Sequence, residues 1–279
     1  MNSHLLNPHL LNPHLLNPHI VIDNVGKVFH AAGRDMVALQ GIDLAIPQGQ
    51  FVCLLGPSGC GKSTLLNAVA GFAPPTSGQI TAGGRLVTGP GPERGMVFQE
   101  YALFPWMTVA DNIGFGLRIQ GRSAAATAAR VDELLAMLAL ADFRHRYPKD
   151  LSGGMRQRVA IARVLALDSP IMLMDEPFGA LDALTRRNLQ DELLRLWAAL
   201  NKTILFVTHS IEEAIYLADR IVVMTYRPGT VKRDVLVDLP RLRDPADAAF
   251  NALKRELGQL VMEEQQRHHH DELRMAAVD

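Results

Sequence analysis

The segment Gly56-Pro57-Ser58-Gly59-Cys60-Gly61-Lys62-Ser63-Thr64 constrains this chain more than any other. It follows the apolar β-rich run Phe51 to Leu55 and precedes a helix expected over Thr64 to Ala70. A glycine-rich loop between a strand and a helix lets backbone N–H groups converge on phosphate oxygens at the helix N-terminus. Lys62 adds a point charge for β and γ phosphates, and the Ser63 hydroxyl is a candidate Mg²⁺ ligand. The loop therefore reads as a nucleotide site.

A second acidic site follows at Ile171-Met172-Leu173-Met174-Asp175-Glu176-Pro177, a buried strand ending in two carboxylates. Asp175 is expected to hold Mg²⁺, and Glu176 to accept a proton from an attacking water. These two signals leave kinases, GTPases and motor ATPases open. Leu151-Ser152-Gly153-Gly154-Met155, with Arg156-Gln157-Arg158 after it, narrows the choice. Its hydroxyl and backbone N–H groups, ahead of a helix expected to begin near Met155, form another candidate anion site.

With these motifs the chain resembles the nucleotide-binding subunits of ABC transporters, whose signature reads LSGGQ, with Met155 here in place of Gln. The resemblance spans about Ile20 to Leu242. It implies an α/β fold: a P-loop NTPase cassette with a mainly parallel core sheet, an antiparallel β subdomain and an inserted helical subdomain at about residues 100–160. It implies ATP and Mg²⁺ as cofactors, and a head-to-tail dimer in which Ser152, Gly153 and Gly154 of one copy cover the γ-phosphate on the other's loop. Gln99 resembles the glutamine that senses Mg²⁺ near the membrane partner, and Asp182, in Gly179-Ala180-Leu181-Asp182, the loop that crosses the dimer. His209 matches the histidine that contacts the γ-phosphate. Phe29, where the first strand ends, is the candidate for stacking on adenine.

Gly89 to Gln99 and Leu103-Phe104-Pro105-Trp106 resemble the nitrate, sulfonate and taurine importers. That implies a separate transmembrane permease, a periplasmic or surface substrate-binding protein, and work at the cytoplasmic face of the inner membrane. A soluble P-loop ATPase or kinase with a regulatory role and no membrane partner stays open as the alternative. Lys and Arg total 28 against 29 for Asp and Glu, which leaves no excess charge for a nucleic-acid backbone. Two cysteines, Cys53 and Cys60, fit a reducing compartment. Cys60 reads as a small loop residue open to thiol reagents until MgATP covers it.

Short strands are expected at Ile20 to Val25, Val37 to Ile46 and Gln79 to Val87, and Val109 to Leu140 is expected to be helical, with Ser123 a candidate N-cap. Helix and strand then alternate: Arg156 to Leu167, Ala183 to Leu200, Thr203 to Val207, Ile211 to Ala218 and Ile221 to Met224. Three HLLNP repeats make residues 1–19 a low-complexity tail, expected to be disordered because a proline every fifth residue forbids a helix. Residues 243–279 are expected to form a last helix capped at Asp244-Pro245, with Phe250, Leu253, Leu257, Leu260 and Val261 on one face, ending in a solvated tail at His268-His269-His270.

Overall fold

The computed structural model describes residues 18–31 and 34–276, so most of the HLLNP repeat lies outside the described residues. The chain divides into two compact units, residues 1–90 with 207–279, and residues 91–206.

In the first unit, β1 (Pro18–Ala31), β2 (Arg34–Pro47), β4 (Ser77–Ala82) and β5 (Arg85–Leu86) form an antiparallel sheet in the order β2-β1-β4-β5. The single strand expected to Val87 is cut by Gly83 and Gly84, both at positive φ, a turn conformation that a side chain resists. β3 (Phe51–Leu55) is wholly buried and pairs in parallel with β9 (Arg220–Met224). Its five residues read as a continuous apolar run because both faces are covered. β10 (Val231–Leu236) pairs antiparallel with β9. Helix α1 (Lys62–Ala70) follows β3, and α6 (Ile211–Leu217) precedes β9.

The last helix, α7, runs Ala248–Ala276. It begins later than Pro245, since Asp244 instead takes the N–H of Ala246 (2.9 Å). The polar histidine run continues α7 instead of leaving the fold as a tail: His269 is exposed, but His268 is half-buried and stacks on Tyr226 with ring centroids 4.0 Å apart.

The second unit holds β6 (Arg94–Val97), β7 (Ile171–Asp175) and most of β8 (Thr203–Thr208), in the order β8-β7-β6 with β6 and β7 parallel. Its helices are α2 (Val109–Ile119), α3 (Ala124–Met137), α4 (Gly153–Ala166) and α5 (Ala183–Leu200). Ser123 caps α3 as expected, accepting from Ala126 N–H (3.2 Å), and Gly121, at positive φ, ends the turn after α2. Val109, Ile113 and Leu117 recur at i+4 on α2 and are buried, each contributing about 1.5–3 kcal/mol. Among the described residues no helix is long and apolar enough to cross a membrane.

Candidate functional site

The glycine-rich loop turns between β3 and α1. Helix α1 starts at Lys62, two residues before the expected Thr64, with Gly61 as an N-cap that offers no side-chain oxygen. Gly59 (φ 78°) and Gly61 (φ 98°) lie in the left-handed region, and such residues shape the backbone concavities that bind anions. A Cβ at Gly61 would also stand 2.7 Å from Leu39 Cδ2, so glycine is required twice over. Ser58, Gly59 and Ser63 are exposed, Thr64 is half-buried, and Gly56, Pro57, Cys60 and Lys62 are buried. An uncapped helix start with an exposed glycine rim fits a phosphate chain.

Lys62 is only 4 % exposed, yet among the described residues no carboxylate bonds it: Nζ donates to Gly56 O and Pro57 O, both at 2.8 Å. Two loop carbonyls thus hold a buried ammonium beside the cradle.

Cys60 corrects the sequence reading. It is wholly buried, and a Cβ at Gly229 would stand 2.3 Å from its carbonyl oxygen, so the loop is backed on that side. Burial pushes the thiol above its ordinary value, with Lys62 partly offsetting the shift. Buried Cys53 is pushed up by desolvation further still. The thiolate is the reactive form, so both cysteines should resist reagents in the folded chain. Intact-mass measurement should find negligible labelling natively and two labels in denaturant. Rapid native labelling of Cys60 would contradict this packing.

Two further candidates belong to the first unit. Phe29, on β1, is 38 % exposed, with Met36 opposite it on β2 and Lys27 Nζ 5.4 Å from its ring centroid. An exposed aromatic on a strand is available for stacking. His209 is exposed just beyond β8. Its neighbours are pinned: Thr208 Oγ1 donates to the buried Glu213 Oε2 (2.5 Å), Ser210 N–H donates to Thr208 Oγ1 (3.0 Å), and Ser210 Oγ caps α6 at Glu213 N–H (3.3 Å). Glu213 was missed from sequence because a glutamate in a first helical turn reads as an ordinary capping residue.

In the second unit, β7 delivers Asp175 and Glu176, both half-buried. Glu176 takes φ 41°, which is strained for a residue with a Cβ and is the sort of outlier found at functional positions. The turn after it is fixed by Gly179 N–H to Glu176 O (3.1 Å), and by Arg186 donating to Phe178 O (3.3 Å) and Leu181 O (2.9 Å). The position a Cβ would take on Gly179 lies 3.9 Å from Glu176 Oε2 and 4.0 Å from Gln99 Nε2. Gln99 and Glu176 therefore face the same glycine. Asp182 is the N-cap of α5, accepting from Thr185 N–H (2.9 Å), and that bond holds its carboxyl below the usual range.

Ser152 caps α4, with Oγ accepting from Met155 N–H (3.3 Å), so the helix starts at Gly153 rather than near Met155. Cβ atoms on Gly153 and Gly154 would stand 3.1 Å from Leu181 Cδ2 and 2.7 Å from Thr185 Cγ2. Close packing beneath the α5 start accounts for both glycines within one copy.

Asn112 is a further residue that sequence reasoning passed over. It is fully buried on α2 and binds only main chain: Nδ2 donates to Phe104 O, Met107 O and Thr108 O (3.0–3.2 Å), and Oδ1 accepts from Phe104 N–H (2.9 Å). This holds out Trp106, 70 % exposed, beside Phe104, whose ring centroid lies 5.8 Å from that of Trp106 and 4.6 Å from that of Phe115.

Residues 39–179 match the family described as ABC transporter. The chain is 46% identical over 243 residues to an uncharacterised ABC transporter ATP-binding protein of Methanocaldococcus jannaschii (87% of this chain, 91% of the relative). It is 46% identical to a nitrate import ATP-binding protein of Synechocystis (84% and 88%) and 50% identical to a taurine import ATP-binding protein of Jannaschia (80% and 82%). A solved dimeric ATP-binding cassette in a post-hydrolysis state, bound to ADP and Pi, superposes with TM-score 0.70 at 33% identity, over 79% of this chain and all of that one.

Proposed function

The chain belongs to the ABC transporter family of ATP-binding cassettes, and from that premise we propose that it is the ATP-hydrolysing subunit of an importer for a small anion or sulfonate, driving a separate membrane permease. The observation that carries the reading is the phosphate cradle, with its uncapped helix start and its buried lysine.

In the proposed mechanism, Lys62 and the N–H groups of Gly59 to Thr64 hold the polyphosphate, and Phe29 stacks on the base. Ser63, Asp175 and Gln99 would hold Mg²⁺, which suits their hard oxygen donors. When bound, the ion neutralises charge on the phosphoryl oxygens. Glu176 takes the proton of the attacking water at its carboxylate while His209 contacts the γ-phosphate. Ser152 to Gly154 of a second copy cover that phosphate, and Asp182 lies at the same crossing.

Support for a permease partner comes from the aromatic loop. Trp106 is displayed by a buried asparagine that binds main chain alone, and an exposed aromatic on a rigid loop suits docking. The proposed location is the cytoplasmic face of the inner membrane, with a substrate-binding protein delivering the cargo. A strain lacking the gene should fail to grow on taurine, an alkanesulfonate or nitrate as sole sulfur or nitrogen source, yet grow on sulfate and ammonium. Normal growth on all of them would overturn the importer reading. ATPase activity without co-purifying membrane protein would favour a soluble regulator.

A further inference from the structure

The turn joining β9 to β10 lies against the phosphate loop. Gly229 N–H donates to Ala38 O (2.9 Å), and Gly229 is packed on the Cys60 carbonyl. Two residues earlier, Arg227 Nη2 stands 3.6 Å from the point a Cβ on Gly59 would occupy, and the Tyr226 ring edge 3.8 Å from it. Gly59 is on the exposed rim of the cradle.

Arg227 is exposed and, among the described residues, has neither a hydrogen-bond acceptor nor a carboxylate partner. Its only described contact of note is with the Tyr226 ring, 5.7 Å from guanidinium carbon to centroid. Tyr226 is itself held from behind. Its N–H donates to Glu264 Oε2 (2.9 Å), a fully buried carboxylate on α7 that also takes Lys232 Nζ (2.7 Å). One turn further along α7, His268 stacks on the Tyr226 ring at an interplanar angle of 17°.

We propose that Arg227 is a second phosphate-binding cation of this cradle, closing on the polyphosphate oxygens over Gly59, and that α7 sets its position through Tyr226. The proposal rests on the cradle being a nucleotide site. Lys62 already has two acceptors in its own loop, whereas Arg227 keeps five N–H donors open beside the rim. The guanidinium fork matches phosphate geometry bidentately, and an exposed cation–π contact is weaker than a charge-assisted hydrogen bond, so redirecting the side chain toward phosphate is favourable.

The test is calorimetric binding of MgATP and AMP to the full chain, for the wild type, Lys62→Ala, Arg227→Gln, Arg227→Lys and Tyr226→Leu. Arg227→Gln should weaken MgATP binding about ten- to a hundred-fold, as expected for a lost hydrogen bond to a charged group. AMP, which lacks the β and γ phosphoryl groups, should lose much less. Arg227→Lys should restore part of the affinity, and Tyr226→Leu should lose part of it, with melting temperatures of the Arg227 variants unchanged. Unaltered MgATP affinity in Arg227→Gln, with Lys62→Ala still defective, would overturn this proposal and leave the nucleotide reading standing. Equal losses for MgATP and AMP together with a lowered melting temperature would reduce Arg227 to a structural residue. No MgATP binding by the wild type would remove both readings.

Discussion

Replacing Lys62 with alanine should cut ATP turnover by about 10²–10³-fold, the usual cost of deleting one preorganised donor from a reacting oxygen. The residual N–H dipoles of the cradle still attract anions, but no fixed cation then offsets the charge of the triphosphate. The structure adds a second effect. Gly56 O and Pro57 O lose the ammonium that both now bind, and buried acceptors without donors destabilise the loop. Nucleotide affinity and melting temperature should therefore be measured together. A variant with wild-type turnover would refute the loop assignment, and one that melts far below the wild type would need Lys62→Met as a better-packed replacement.

Glu176→Gln should have the opposite signature, with binding kept and hydrolysis lost. Glutamine preserves size and hydrogen-bonding reach but takes no proton from water at neutral pH, so turnover should fall about 10²–10⁴-fold, the range for a general base. The backbone already holds this residue at φ 41°, and Gly179 N–H fixes its carbonyl, neither of which the substitution disturbs. Because the nucleotide is proposed to lie between two copies, unhydrolysed ATP should keep them together by mass action. Light scattering should report an ATP-dependent dimer for the variant and only a transient one for the wild type. Adding Ser152→Arg should abolish it, since bulk and charge would occupy the proposed trans phosphate site. A monomer in every condition, or full hydrolysis, would sink the shared-site mechanism.

Much of the fold was legible because the strongest motifs constrain their flanks. β3 and α5 fall on the expected Phe51 to Leu55 and Ala183 to Leu200. What escaped had no local signature. β6 is four residues containing an arginine and a glycine, and it is buried because Gly95 admits α4, where a Cβ would meet Val164 Cγ1 at 2.2 Å. β10 has no apolar face, being half-exposed along its length. The stripe on α7 is legible through Phe250, Leu257 and Val261 but not beyond, because its next members, Glu264 and His268, are polar and find their partners on Lys232 and Tyr226.

At the candidate site, the residue types were readable but their supports were not. Glu176 is legible from a buried strand ending in two carboxylates and Gln99 from the resemblance, whereas their approach to one glycine follows from a turn that Arg186 braces. Cys60 was misjudged because a loop residue is exposed by default, and only long-range packing by Gly229 and Leu39 closes this loop.

The Asn112 brace has an evolutionary corollary. Among the described residues its side-chain bonds run only to main-chain atoms of residues 104, 107 and 108, so these bonds do not depend on which side chains those positions carry. Met107 and Trp106 can then be replaced without removing the Asn112 bonds that hold the backbone displaying them. An enzyme built this way can exchange the partner proposed to dock on that loop without relearning how to fold.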